Sequence, residues 1–451
     1  MIRQVLLILS IFSTVFCHDT EGRAFRVVFP RNFELSSTNS TLSISLINRN
    51  DTKNAKVHVS YYSNFLSTSR LNQTIYTVDA KGFLDVSFPH FDAWEYMNAG
   101  WQEQWDTRIV ITSDTDISVI AQNIHSDGHG DMFLVLPQSM AGTAYSLTLP
   151  APSTPQSGAF QYTVFYIIPT YADVALTLTV NGKDEQHTAK FKSGTKLSYF
   201  AMPKLFNQKP PTIFVTGNQP FLIVAAVTCM ETTMKTCDYA AFMPTPLPNL
   251  DCNHEGANGD IHPTDTFSTK TFTFTPVARN CSSAHVGVYN DGGATSTDAD
   301  GSLYNVPNNF GDRVVFRSGQ SYLQPIRLGG LSNKNGAFLS TVPAKSQFIS
   351  GSSNFLTRAG NDTLYVMGDA LAILSMFLDG VQVKFSPEVV NIDGSNLHFT
   401  RLTVPDAGLH TLSSNRGKFC FYVVGSLRPN HLYGYYPAFN STFHSFFISC
   451  L

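Results

Sequence analysis

The chain has 451 residues, 30 of them basic and 33 acidic, for a formal net charge of −3. No Lys/Arg stripe runs along it, so nucleic acid is excluded as an expected partner. Charged residues make up only 14% while Phe alone occurs 35 times, a balance that excludes disorder and asks for a large buried core, divided over two to four domains.

Met1-Ile-Arg-Gln is a short basic start, followed by an apolar run from Val5 to Phe16. That run falls short of the ~20 apolar residues of a spanning helix, so residues 1–17 are expected to be a signal peptide cleaved after Cys17. No later segment is long and apolar enough to span a bilayer, and the mature product is expected to be secreted. Cys229, Cys237, Cys252, Cys281, Cys420 and Cys450 then remain, an even set that fits disulfides in an oxidising compartment. Local bridges Cys229–Cys237, Cys252–Cys281 and Cys420–Cys450 are the expected pairing, out of fifteen possible. Asn39, Asn50, Asn72, Asn280, Asn361 and Asn440 each begin an Asn-x-Ser/Thr glycosylation triplet.

In chain order, Phe25–Pro30, Leu42–Ile47 and Lys56–Tyr62 alternate with period two, as half-buried strands should. Arg108–Ala121 reads as a hairpin: a short apolar strand, a turn around Asp114 and Asp116, then a strand rich in β-branched residues. Thr212–Ala225, with Asn218 in its turn, and Leu409–Val423, with Asn415, repeat the same pattern. Val174–Val180 followed by Asn181-Gly182 signals a further hairpin, and Phe377–Phe385 does so around Asp379-Gly380. No window of helical length shows a capped 3.6-residue period. Proline clusters at Pro150–Pro155 and Pro244–Pro248 cannot continue central strands. The expected architecture is all-β, with tandem β-sandwich modules over 18–148, 149–250 and 262–451, the last holding one unit or two, a linker at 251–261 and little helix.

Taken together, the motifs resemble a known family. The first hairpin leads to Asp131-Met-Phe-Leu-Val-Leu-Pro137, and the second to Cys229, Cys237-Asp-Tyr and Met243-Pro-Thr-Pro. The third runs from Gly408-Leu-His to Tyr433-Gly-Tyr-Tyr-Pro. In this order they resemble the N-terminal domain of the IgG Fc-binding protein, a secreted mucus component, over about Phe25 to Pro437. The cysteine-rich repeats that follow this domain in the mucus protein are not found in these 451 residues. The resemblance implies a secreted binding or matrix protein and no enzyme; it does not place Fc binding on any residue.

Several polar groups are candidates for chemistry. His125, Asp127, His129 and Asp131 offer two imidazoles and two carboxylates within seven residues, a set with mixed nitrogen and oxygen donors for a divalent metal or a hydrolytic site. A glycine-rich loop with solvated histidines is the plainer expectation. Asp298-Ala-Asp-Gly-Ser302 has closely spaced carboxylates but lacks the Glu at the twelfth loop position, and reads as a surface turn. His254-Glu255 meets Asn258 where a zinc protease needs its second His. Trp94, Trp101 and Trp105 are all the tryptophans of the chain, and flat aromatic faces anchor protein interfaces and sugar rings. Tyr433, Tyr435 and Tyr436 read as core residues of a closing strand.

These readings converge on a secreted, non-enzymatic binding or adhesion protein that needs no cofactor and contacts an extracellular protein or glycan through Trp94, Trp101 and Trp105. A hydrolase or metal enzyme built on the His125–Asp131 loop and a self-associating coat protein are the alternatives.

Overall fold

In the computed structural model the described residues are 18–32, 40–65, 68–89, 98–125, 128–153, 161–203, 210–231, 237–248, 252, 260–266, 270–277, 281, 285–290, 293–307, 312–319, 322–330, 336–384, 387–392, 395–428 and 431–441. Period-two alternation and β-branched runs give strands throughout these segments. The expected all-β fold of sandwich modules is observed.

The first module holds β1 (Gly22–Val27), β2 (Ser40–Asn48), β3 (Ala55–Phe65), β4 (Thr68–Val78) and β5 (Gly82–Phe88). After β6 (Gly100–Trp105) come its long strand β7 (Ile109–His125) and a short closing strand β8 (Gly130–Val135). β1 and β3 pair with the front half of β7, with β4 outside β3; β2 and β8 pair with its rear half, with β5 outside β2.

This seven-strand unit recurs three more times. The second module is β9 (Gly142–Leu147), β10 (Tyr162–Pro169), β11 (Val174–Val180), β12 (Lys183–Ala189), β13 (Lys196–Pro203), β14 (Ile213–Glu231) and β15 (Cys237–Phe242). The third is β16 (Ile261–Asp265), β17 (Thr271–Thr275), β18 (His285–Asn290), β19 (Gly293–Asp298) and β20 (Leu303–Asn305), then β21 (Arg313–Ser318), β22 (Gln324–Gly329) and β23 (Phe338–Thr341). Here the long strand is broken into β21 and β22, which take the front-half and rear-half partners respectively. The fourth is β24 (Ile349–Thr357), β25 (Asp362–Gly368), the short helix α1 (Ala370–Leu374), β26 (Met376–Leu378), β27 (Val381–Gln382), β28 (Glu388–Ile392), β29 (Ser395–Val404), β30 (Gly408–Arg428) and β31 (His431–Tyr435). In the second and fourth modules an extra strand, β6 or β28, is added outside the fifth.

Two expectations are corrected by this pairing. The three matching segments are not hairpins: β7, β14 and β30 run on through the polar stretch as single strands. The chain does not reverse there but bulges. Ala24 to Gly22 on β1 spans Thr112 to Ile117 on β7, Ala144 to Gly142 on β9 spans Thr216 to Phe221, and Gly351 to Ile349 on β24 spans Ser414 to Phe419. In each case two steps along the short strand face five along the long one, so the strand bends from one layer of the sandwich to the other. Polar side chains hold the bulge: Asp114 accepts the Lys56 N–H at 2.9 Å and Asn218 accepts the Ala175 N–H at 2.9 Å. The module limits are also redrawn, because β6 and β9, both within 18–148, pair in the sheet of the second module; 262–451 holds two modules, one of the two arrangements expected for it. The true hairpins at Asn181-Gly182 and Asp379-Gly380 have positive φ at both central residues, as a two-residue primed turn requires.

The closing strands locate the centre of the molecule. β8 lies against β15 and β31, and β23 also lies against β15 and β31, so the four modules follow one another around a closed ring. β8 and β15 are buried along their whole length. One continuous apolar cluster joins Phe25 and Val119 of the first module to Tyr166 of the second, Phe338 of the third and Tyr422 of the fourth. Gly434 sits where a Cβ would come within 2.6 Å of the Phe338 ring, so the close approach of β31 and β23 requires glycine.

Candidate functional site

The His125–Asp131 stretch spans the end of β7 and the start of β8. Among the described residues no three His, Cys, Asp or Glu side chains converge as a metal site, and Asp127 lies outside them. His125 is buried and its N–H bonds the His129 carbonyl at 2.7 Å. Asp131 turns inward and is fully buried. Its carboxylate accepts the N–H groups of Met132 (2.8 Å) and Ala241 (3.1 Å), together with that of Gly434. Asp238, which sequence reasoning passed over, is the counterpart on β15. It accepts the N–H groups of Gly130 (2.9 Å), Tyr239 (2.8 Å) and Ala337 (2.9 Å), and His129 Nδ1 stands 3.6 Å away. Each carboxylate therefore ties its own closing strand to those of both neighbouring modules. Burial pushes both carboxyls above the ordinary range, against the opposing pull of these amides. The signal for Asp238 was present: both aspartates open a wholly apolar run, where burying a carboxyl is costly unless backbone amides meet it.

The aromatic segment lies elsewhere. Trp94 falls outside the described residues; Trp101 and Trp105 sit on β6, four residues apart and hence on one face, opposite Phe200 and Lys196 of β13. Trp101 is half-buried and packs on the core of the second module, with its ring stacked at 4.2 Å on His187 of β12. β6 and β12 are opposite ends of one sheet, so the sheet curls until its edges meet at this stack. His187 Nε2 is 3.1 Å from Glu185 Oε2. Trp105 is 42% exposed, with Lys196 Nζ 4.6 Å from its ring centre.

Cys229–Cys237 joins β14 to β15, and Cys252–Cys281 joins the proline-rich stretch to the third module. The expected Cys420–Cys450 bridge is corrected: Cys420 is a free thiol on β30, 1% exposed within the central cluster, and Cys450 lies outside the described residues. Of the glycosylation triplets, Asn50 and Asn361 are exposed and Asn72 is half-buried. Asn440 commits its amide to the Phe348 carbonyl at 3.0 Å, while Asn39 and Asn280 lie outside the described residues. Asp298 faces His285 at 2.7 Å and Asp300 bonds Ser302 N and Oγ, forming a polar turn. His254 and Glu255 are outside the described residues. Tyr433, Tyr435 and Tyr436 are buried, and Tyr433 Oη donates to Asp362 at 2.5 Å.

Among the described residues, two of the concavities on the ring each enclose about 30 Å³, room for about two waters. One is lined by residues of all four closing strands, including Phe133, Phe242, Leu339 and Tyr435. The other lies between Thr245–Pro248 and the third module, with Asp260, His262, Tyr322 and Gln324 on its walls.

No family model matches the chain, and no curated protein matches it. Among solved structures, a tetra-tandem repeat from the extending region of a large adhesion protein is 12% identical, covering 93% of this chain and 99% of that one, with a TM-score of 0.10. An arabinofuranosyltransferase, AftD from Mycobacteria, is 10% identical, covering 86% of this chain and 38% of that one, with a TM-score of 0.16. Scores of this size carry no argument about fold or function.

Proposed function

We propose that the chain is a secreted, non-enzymatic binding or adhesion protein of mucus or extracellular matrix, presenting the β6 edge to an extracellular partner. The observation that carries this reading is the pair Trp101 and Trp105. They lie on one face of an outermost strand, and Trp105 is 42% exposed on a scaffold whose other large aromatics are mostly buried. An exposed indole held by a sheet is a low-entropy anchor for a protein or glycan. Two disulfides and the exposed triplets at Asn50 and Asn361 support an extracellular setting. The resemblance to the IgG Fc-binding protein N-terminal domain belongs to the same reading. Its motifs map to the long and closing strands of three modules, so they describe a scaffold and transfer no ligand.

The test is affinity capture by the glycosylated protein from luminal or surface extract, beside a Trp94/Trp101/Trp105→Ala variant with unchanged circular dichroism. The expected result is a specific partner retained by the native protein and lost by the variant. Identical recoveries would sink the reading, and recovery of the chain alone would favour a self-associating coat.

A further inference from the structure

β4 is the strand at one end of the first module's sheet, and among the described residues it pairs with β3 alone. Its outer row of N–H and C=O groups is therefore open to a further strand. The equivalent end strands of the other modules are each guarded. β12 carries Lys183, Asp184 and Glu185, β19 holds only Gly, Ala, Thr, Ser and Asp, and β27 is two residues long. Charge, polarity and shortness are the usual means by which a sheet edge avoids joining another. β4 has none of them. It is 11 residues long, its register with β3 runs unbroken from Ala55 opposite Val78 to Phe65 opposite Thr68, and Arg70 is its sole charge. On its solvent face Ile75 is 70% and Leu71 43% exposed, four residues apart and so on the same side.

The sequence of β4 matches itself. When the strand is laid antiparallel against a second copy and centred on Gln73, all 11 residues pair, from Thr68 opposite Val78 inwards. Leu71 then comes opposite Ile75 of the other copy, and Ile75 opposite Leu71, so the exposed apolar side chains of both copies form one block across a two-fold axis. Arg70 comes opposite Tyr76, so no like charges meet. Moving the register by two residues sets Leu71 against Gln73 or Thr77, and the block is lost. A foreign strand would ask only for an open edge; the match between the two halves of β4 favours a second copy as the occupant. We propose that β4 is a self-pairing edge, through which two copies of this chain join their first modules into one continuous sheet. The surface belongs to a different sheet from the β6 edge and goes beyond the function proposed for that edge.

Asn72 begins a glycosylation triplet within β4 and comes opposite Thr74 of the second copy, so a glycan there competes with pairing. Thr74→Ala removes the triplet and serves as the parent chain for the test. Sedimentation equilibrium of the full-length protein over a micromolar concentration series should show a reversible monomer–dimer equilibrium, weakened about tenfold by Leu71→Lys and by Ile75→Glu singly. Combining the two in one chain should restore association, because each introduced charge then faces its complement in the other copy. Both side chains are exposed, so these variants should unfold at the parent's temperature. A cysteine scan checks the register. Directly opposed Cα atoms lie ~4.5–5.5 Å apart, within disulfide reach, so Gln73→Cys should give a covalent dimer and Thr77→Cys, on the same face, should not. A monomer throughout the series, association unchanged by both single variants, or equal cross-linking by the two cysteine variants would overturn the proposal. The Trp94/Trp101/Trp105→Ala variant should dimerise like its parent, which separates failure here from failure of the proposed function.

Discussion

Asp131 and Asp238 fasten the seams between the closing strands. Each carboxylate collects three backbone N–H groups, drawn from its own closing strand and from both adjacent modules. Replacing Asp238 by Ala would strand three buried amides at the ring centre, and a loss of roughly 3–5 kcal/mol is expected in urea denaturation. Asp238→Asn, which keeps one acceptor oxygen, should lose less. Glu21 makes a pH-dependent contribution. It is buried beside Arg49, 3.3 Å away, and burial outweighs that partner and pushes its pKa from 4.5 to about 7. The folded chain therefore holds a proton that the unfolded chain releases, so stability from Glu21 is full below pH 4.5 and is lost as pH rises through about 7. His18 acts with the opposite sign: burial lowers it from 6.5 to about 4, and its contribution is lost as pH falls through that interval. Comparing Glu21→Gln with the native chain isolates the first effect. The difference in unfolding free energy should change by on the order of 3 kcal/mol between pH 4 and 8, and parallel curves would refute the assignment.

At the scale of the element, the informative feature is the bulged long strand. A polar tetrad such as Ser113–Asp116 between two apolar runs has the composition of a turn. It becomes a bend because Asp114 and Asn218 cap backbone of neighbouring strands, Lys56 and Ala175, that are distant in sequence. The recurrence of the pattern was legible; the direction of the chain through it was not, since a turn and a bulge share local chemistry. The two disulfides differ in reach. Cys229–Cys237 closes 8 residues and Cys252–Cys281 closes 29, so the loop-entropy model predicts about 2.5 and about 3.6 kcal/mol respectively. Paired Cys→Ala variants should show the second bridge as the costlier loss in thermal unfolding.

At the scale of the whole molecule, four modules behave as one body because none owns its closing strand alone. Arg side chains tie the seams. Arg108, fully buried with Asp106, donates to the Lys190 and Lys192 carbonyls, joining the first module to the second. Arg401 joins Asp265 and Asp312 across the third and fourth modules. Arg358 meets Asp85 at 2.8 and 2.9 Å and Ser45 at 2.6 Å, closing the fourth module onto the first. Opening any module would expose the shared cluster, so calorimetry should show a single transition with equal calorimetric and van't Hoff enthalpies. Separate transitions for separate modules, as in a string of independent domains, would refute the closed ring.

The all-β class, the recurrence of the apolar–polar–apolar segment, the primed turns at Asn181-Gly182 and Asp379-Gly380 and two disulfide pairs were determined by local sequence. Periodicity and turn chemistry act over a few residues and survive in a linear reading. The third module lacks the single long strand that marks the others: β21 ends at Ser318 and β22 begins at Gln324. What only tertiary structure decided was partnership across the ring. It placed Asp131 in the core, left Cys420 a buried thiol, and gathered Asp260, His262 and Gln324 around one concavity. Those outcomes depend on which distant amide or carbonyl meets a side chain, and residue type and spacing carry no record of that meeting.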